Sequence, residues 1–288
     1  MEKIYQRKLG KTNLSISVIG FGGLALAGLP QKQVDEIVEY AISRGVNFFD
    51  VAPTYGDAEI KLGNALKGNR DKIFLSCKTT CRTKSESLIE LKNSLKNLRT
   101  DYFDFYLMHG IRDIENDVIP ATEKNGMLMT AIEAKRNGIV KYIGFSSHTE
   151  KSAIFAFDQF DFDIMAFPVN LFCFLATGFG KQAIEYAKKR DAGIIALKTL
   201  AKQKLDKSVK IKKYPNCWYE PEESPEMAKI MMKWTYSQQV SSIIPPADVR
   251  LFKMALDLSI EVLTTPLEPE HIKKFEEILP SITPIFPS

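Results

Sequence analysis

The chain has 288 residues, 45% of them hydrophobic and 26% charged, with 39 Lys and Arg against 35 Asp and Glu for a net charge of +4. This ordinary globular balance excludes a fibre, a coiled coil or a disordered chain, and a chain of this length buries enough surface to need no disulfide or metal staple. No apolar run reaches the roughly 20 residues of a membrane span, the polar start MEKIYQRKLG lacks the apolar core of a signal peptide, and a single cytoplasmic domain over residues 1–288 is expected.

In chain order, YQRKL and LSIS flank the turn Gly10-Lys-Thr-Asn, a candidate β-hairpin. A first strand candidate, VIGFG, covers residues 18–22. Residues 33–44 place Val34, Ile37, Val38 and Ala41 on one helical face, with Gly45 as the stop. NFFDVA (47–52) and KIFLSCK (72–78) are the next two strand candidates. Thr83 and Glu86 have capping-box spacing ahead of a helical stripe of Leu88, Leu91, Leu95 and Leu98. Strand YFDFYLMH (102–109) precedes a helix over 127–137 that ends at Gly138, and YIGFSS (142–147) and DIMAFPVN (163–170) follow. Residues 181–190 read as a helix and GIIALKTL (193–200) as a strand. Residues 201–224 form the longest irregular stretch. Their Lys-rich part, 202–213, reads as a solvated loop and not as a nucleic-acid arm, because aromatic residues are sparse in it. Ser224 and Pro225 suit an N-cap and first helical position. SSIIPP (241–246), a helix over 270–278 and a short apolar tail complete the chain.

Several strand candidates are near-continuous apolar runs, the signature of parallel strands buried on both faces. Eight of them alternating with helices predict an α/β fold, a (β/α)8 TIM barrel with an N-terminal β-hairpin closing its bottom. An open doubly wound sheet, which usually has fewer strands, is the alternative. In a barrel the 201–224 stretch follows strand seven and lies over the catalytic face. The four cysteines, Cys77, Cys81, Cys173 and Cys217, form no CxxC pair and no zinc set. Reduced, mostly buried thiols and no metal are expected.

Barrel active sites form at the C-terminal ends of the strands. There stand Asp50 and, just beyond it, Tyr55; Lys78 ends the third strand and His109 the fourth. Each alone has a bland reading: a loop cap, a first solvated lysine, a structural histidine. Together they converge from three adjacent strands, and charges there are costly unless paired, so an Asp50–Lys78 pair is expected. A lyase or aldolase with Lys78 as a Schiff-base nucleophile is a competing reading that does not require the other three.

The stretches GFGG (20–23), FFDVAPTYG (48–56), CKT (77–79), DYFDFYLMH (101–109), KYIGFSS (141–147) and IIALKTL (194–200) resemble the aldo-keto reductase superfamily, in order and over nearly the whole chain. The resemblance implies a (β/α)8 barrel and reversible hydride transfer between a nicotinamide cofactor and a small aldehyde or ketone. It makes Tyr55 the general acid, Lys78 the cation that lowers its pKa, Asp50 the partner of Lys78 and His109 the group that orients the carbonyl. A cation about 4 Å from the phenol is worth roughly 4 kcal/mol at moderate dielectric, or about three pKa units. Cofactor positions carried over are Gly22, Gly23, Ser146, Ser147, Asn170, Leu197, Lys198 and Leu200. Of these, Ser147 replaces a common Asn, Leu197 stands where many members have a Tyr, and Lys198 and Leu200 match the pyrophosphate side. After strand eight, Pro246 and Ala247 replace the Lys-Ser pair that often reads a 2′-phosphate. Arg250, with Lys253 nearby, is the substitute, which favours NADPH over NADH.

Some bacterial relatives carry a cysteine-rich iron–sulfur extension, and none is expected up to Ser288. Trp218 and Tyr219 are read as a pocket wall or as loop anchors, and the tail as pocket lining or as packing on the barrel side. A cofactor-binding regulatory subunit with little turnover is the functional alternative. No nucleic acid or membrane partner is expected, and the oligomeric state is not legible.

Overall fold

The structure, a computed structural model, describes residues 3–206 and 208–287. Its centre is a sheet of eight parallel strands: β3 (Phe21–Gly22), β4 (Phe48–Asp50), β5 (Phe74–Thr79), β6 (Phe103–Ile111), β7 (Val140–Ser147), β8 (Ile164–Pro168), β9 (Gly193–Leu197) and β12 (Ser242–Ile243). Each pairs with the next in chain order, and the ends meet. Ile243 N donates to Val18 O at 2.8 Å, and Gly20 N donates to Ile243 O at 2.9 Å. The sheet is therefore a closed barrel, and all eight expected strands are present.

The apolar runs follow from double burial. Along β6, Phe105 and Leu107 enter the barrel interior with Phe48, Ile164, Ala166 and Ile195, while Tyr106 and Met108 face the surrounding helices. The expected hairpin is β1 (Gln6–Lys8) against β2 (Ser15–Ser17), and its Leu9 and Ile16 plug the interior from below. A Cβ at Gly193 would sit 2.3 Å from Leu9 Cδ1, so the plug depends on that glycine.

The helices are α1 (Gln31–Ser43), α2 (Ala58–Ala65), α3 (Lys84–Leu98), α4 (Ile119–Thr122), α5 (Met127–Arg136), α6 (Glu150–Gln159), α7 (Leu171–Thr177), α8 (Lys181–Lys189), α9 (Pro225–Ser237), α10 (Val249–Thr264) and α11 (Pro269–Ile278). Ser224 Oγ caps α9 by accepting from Met227 N, and Thr83 Oγ1 caps α3 by accepting from Glu86 N. Of the leucine stripe on α3, Leu91 and Leu98 are buried and Leu95 packs on the core, while Leu88 is exposed; Ser87 and Ser94 complete the buried face, with Ser87 Oγ donating to Thr130 Oγ1 of α5 at 2.8 Å.

The 201–224 stretch is also not wholly irregular. It holds an antiparallel pair, β10 (Ala201–Lys204) and β11 (Tyr219–Pro221). All four thiols are free, and Cys77, Cys173 and Cys217 are buried. Among the described residues no helix is long and apolar enough to cross a membrane.

Candidate active site

Register brings the four strand-end residues together. Asp50 lies beside Ser76, two residues before Lys78 on β5, and Lys78 lies beside Leu107, two residues before His109 on β6. Tyr55 is presented by the turn after β4, with Tyr55 N donating to Ala52 O at 3.0 Å and Ala58 N to Tyr55 O at 3.2 Å.

One carboxylate oxygen of Asp50 accepts from Ser76 Oγ at 2.9 Å, and the other accepts from the Lys78 ammonium. Lys78 Nζ also donates to Tyr55 Oη at 3.2 Å. An ammonium has no acceptor capacity, so the phenolic O–H remains free to donate elsewhere. The His109 ring meets Tyr55 edge-on, centroids 5.8 Å apart. Arg82, paired with Asp117, fixes the His109 carbonyl at 2.9 Å, and Gly110 N donates to Ser146 Oγ at 2.7 Å.

The electrostatics correct one expectation. Burial raises the Tyr55 pKa more than Lys78 lowers it, so the phenol lies above its ordinary value instead of about three units below. Burial works against the Lys78 charge, but Asp50 and then Tyr55 hold its pKa above the usual lysine value. Burial, reinforced by Lys78, pushes His109 down to about 2, which keeps its imidazole neutral. His148 is pushed to about 3 by burial and by Lys198. Burial takes Lys198 to about 8, helped by the like charge of Lys78 against the opposing influence of Cys217.

A cavity of about 240 Å³ opens over these groups, and it reaches past Leu197 to Ile244, Pro245 and Ala247. Asp50, Tyr55, Lys78, His109, Gly22, Ser146, Leu197 and Lys198 all line it.

The other expected cofactor positions do not line it. Gly23 packs on Val51, where a Cβ would come within 3.0 Å. Ser147 Oγ lies 2.9 Å from both Ile111 O and Thr149 O, so its one proton is taken by these carbonyls. Leu200 is in the core. Asn170 caps α7 by accepting from Cys173 N, and its amide donates to Lys198 O at 2.9 Å and Ala201 O at 2.7 Å. Asn170 thus reaches the cavity only by holding the Lys198 turn. Arg250 lies outside the cavity, exposed, with Nε 2.9 Å from Asp248 Oδ1 and Nη2 2.9 Å from Asp248 Oδ2. Lys253 stands over the Tyr40 ring.

Sequence reasoning overlooked His148 and Asn216, which face the cavity. Trp218 and Tyr219, read there as a pocket wall or as loop anchors, line it as a wall. Their placement depends on the β10–β11 pairing, which no local signal announces.

Residues 18–280 match the model of the aldo/keto reductase family. An uncharacterised oxidoreductase, YqkF of Bacillus subtilis, is 34% identical over 158 residues, covering 49% of this chain and 48% of that protein. The aldo-keto reductase YhdN of the same organism is 30% identical over 158 residues, covering 48% and 46%. The chain thus spans about half the length of these curated relatives. The structure of aldo-keto reductase AKR11C1 from Bacillus halodurans superposes with a TM-score of 0.72 at 19% identity, over 94% of this chain and 96% of that one, which shows the shared fold.

Proposed function

The chain belongs to the aldo/keto reductase family, and from that premise we propose that it reduces the carbonyl of a small aldehyde or ketone with a nicotinamide cofactor. The observation that carries this reading is the bond from Lys78 Nζ to Tyr55 Oη, which leaves the phenolic proton to be given away.

The residues present suit such a cofactor. Gly22 lines a cleft that a side chain would fill, since a Cβ there would lie 2.9 Å from Ile244 Cγ2. Gly22, Ser146 and Leu197 would hold it, with the start of α10 attracting its anionic end. When bound, the cofactor supplies the hydride.

The chain's own residues handle the proton and the charge. Tyr55 donates its proton to the carbonyl oxygen as general acid. Lys78 stabilises the negative charge that Tyr55 acquires, and Asp50 fixes Lys78 in place. His109, neutral, offers a ring N–H to the same oxygen without adding a second cation.

NADPH is the proposed reductant, with Arg250 as reader of its 2′-phosphate. Arg suits this because its fork makes charge-assisted hydrogen bonds, for which a phosphate competes with Asp248. A screen of NADPH and NADH oxidation over aldehydes, ketones and quinones tests the reading. Turnover of at least one class supports it. Tight cofactor binding with no turnover on any class overturns it in favour of a cofactor-binding regulatory subunit.

A further inference from the structure

The cavity holds two ammonium groups and one carboxylate. Lys78 is matched by Asp50, while Lys198 enters no ion pair among the described residues. Lys198 is held in the left-handed region, at φ 59°, which a lysine adopts only under constraint. The constraint is visible: Asn170 and Ala201 N donate to its carbonyl at 2.9 and 3.0 Å. Its ammonium lies over the faces of Trp218 and Tyr219, 5.6 and 5.2 Å from the ring centroids. Aromatic faces attract a cation but do not neutralise it. A strained backbone thus aims a positive charge, without a counter-ion, into the cavity.

Two ligands carry a suitable oxyanion: a charged substrate and the diphosphate of the cofactor. The neighbours of Lys198 favour the first. Lys198 lines the same cavity as Lys78, His109 and His148, the groups around the reacting end. Resting on the carbonyl reductase reading above, we propose that Lys198 recognises a carboxylate carried by the substrate, so that this chain acts on aldehydes or ketones that are also acids.

The test uses matched pairs: benzaldehyde with para-carboxybenzaldehyde, and butanal with succinate semialdehyde. The wild-type protein is expected to have the higher kcat/KM for the acid of each pair. Lys198→Gln lowers that acid-to-neutral ratio about tenfold or more, the loss expected for one charge-assisted hydrogen bond, and Lys198→Arg preserves it. Trp218 adjoins the ammonium, so quenching of tryptophan fluorescence by benzoate, with benzyl alcohol as the neutral control, reads the site without turnover.

A wild-type preference for the neutral member of both pairs overturns the proposal. So does a ratio unchanged in Lys198→Gln. Weakened NADPH binding in that variant with an unchanged ratio also overturns it, and returns Lys198 to the diphosphate. If no carbonyl compound is reduced at all, the reductase reading fails by itself, and benzoate binding still reports whether Lys198 takes a carboxylate.

Discussion

The ring of Phe286 lies nearly face to face on that of His148, with centroids 5.6 Å apart and planes 14° from parallel. Phe286 also stacks on Phe179 at 5.2 Å and meets Trp218 edge-on at 5.9 Å. His148 and Trp218 both line the cavity. The apolar tail is therefore neither simple lining nor packing on the barrel side; it braces two lining residues from behind.

Phe286→Ala removes a buried ring, and such truncations cost about 3–5 kcal/mol. The expected result is a lower urea midpoint together with a raised KM, since His148 and Trp218 lose their support. A raised KM with unchanged stability would mean that the ring contributes nothing to packing.

Tyr55→Phe keeps the ring and removes the proton donor. A fall in kcat of about 10² or more is expected, the usual contribution of a general acid, with cofactor binding retained. Near-normal turnover on every active substrate would place the acid elsewhere.

Asp50 and Lys78 are both buried, and removing one leaves the other as an unpaired buried charge, at a cost on the order of 3–5 kcal/mol. Asp50→Asn and Lys78→Met should therefore couple strongly in a double-mutant cycle on unfolding free energy. Simple additivity of the two losses would contradict the ion pair.

The histidines bear on acid stability. His148 titrates at about 3 in the folded protein, against roughly 6.5 for a free histidine. Between these values the unfolded chain binds a proton that the folded chain does not, so stability rises with pH and is lost as pH falls. One such group contributes a slope of about 1.4 kcal/mol per pH unit. His148→Phe keeps a ring against Phe286 and should flatten the pH dependence of the urea midpoint between about pH 4 and 6. An unchanged slope would show that His148 is protonated in the folded protein.

Arg250 donates to Asp248, so a phosphate must draw it away. Arg250→Ala should weaken NADPH binding more than NADH binding, and Asp248→Asn should strengthen NADPH binding, both measured by protein fluorescence quenching. Equal effects of Arg250→Ala on the two cofactors would remove Arg250 as the phosphate reader.

The barrel and its reacting end were legible in the sequence because their signals are local. Strands buried on both faces must be apolar runs, and in a barrel whatever polar residue ends such a run faces the same mouth as its neighbours. That places Asp50, Lys78 and His109 together before any contact is known, and Tyr55 beside them. Helix α10 carries an equally local signal, an apolar face from Leu251 to Val262. What remained hidden depends on partners remote in sequence. Helix α2 carries Gly63 because a Cβ there would meet Asn97 O of α3 at 2.5 Å; read locally, that glycine argues against a helix. Asn170 resembles a cofactor ligand by position, yet its amide is consumed by Lys198 and Ala201. The pKa of Tyr55 turns on burial against the charge of Lys78. Sequence spacing names the charge, but only the packed structure sets how much water is lost, and here that loss is the larger effect.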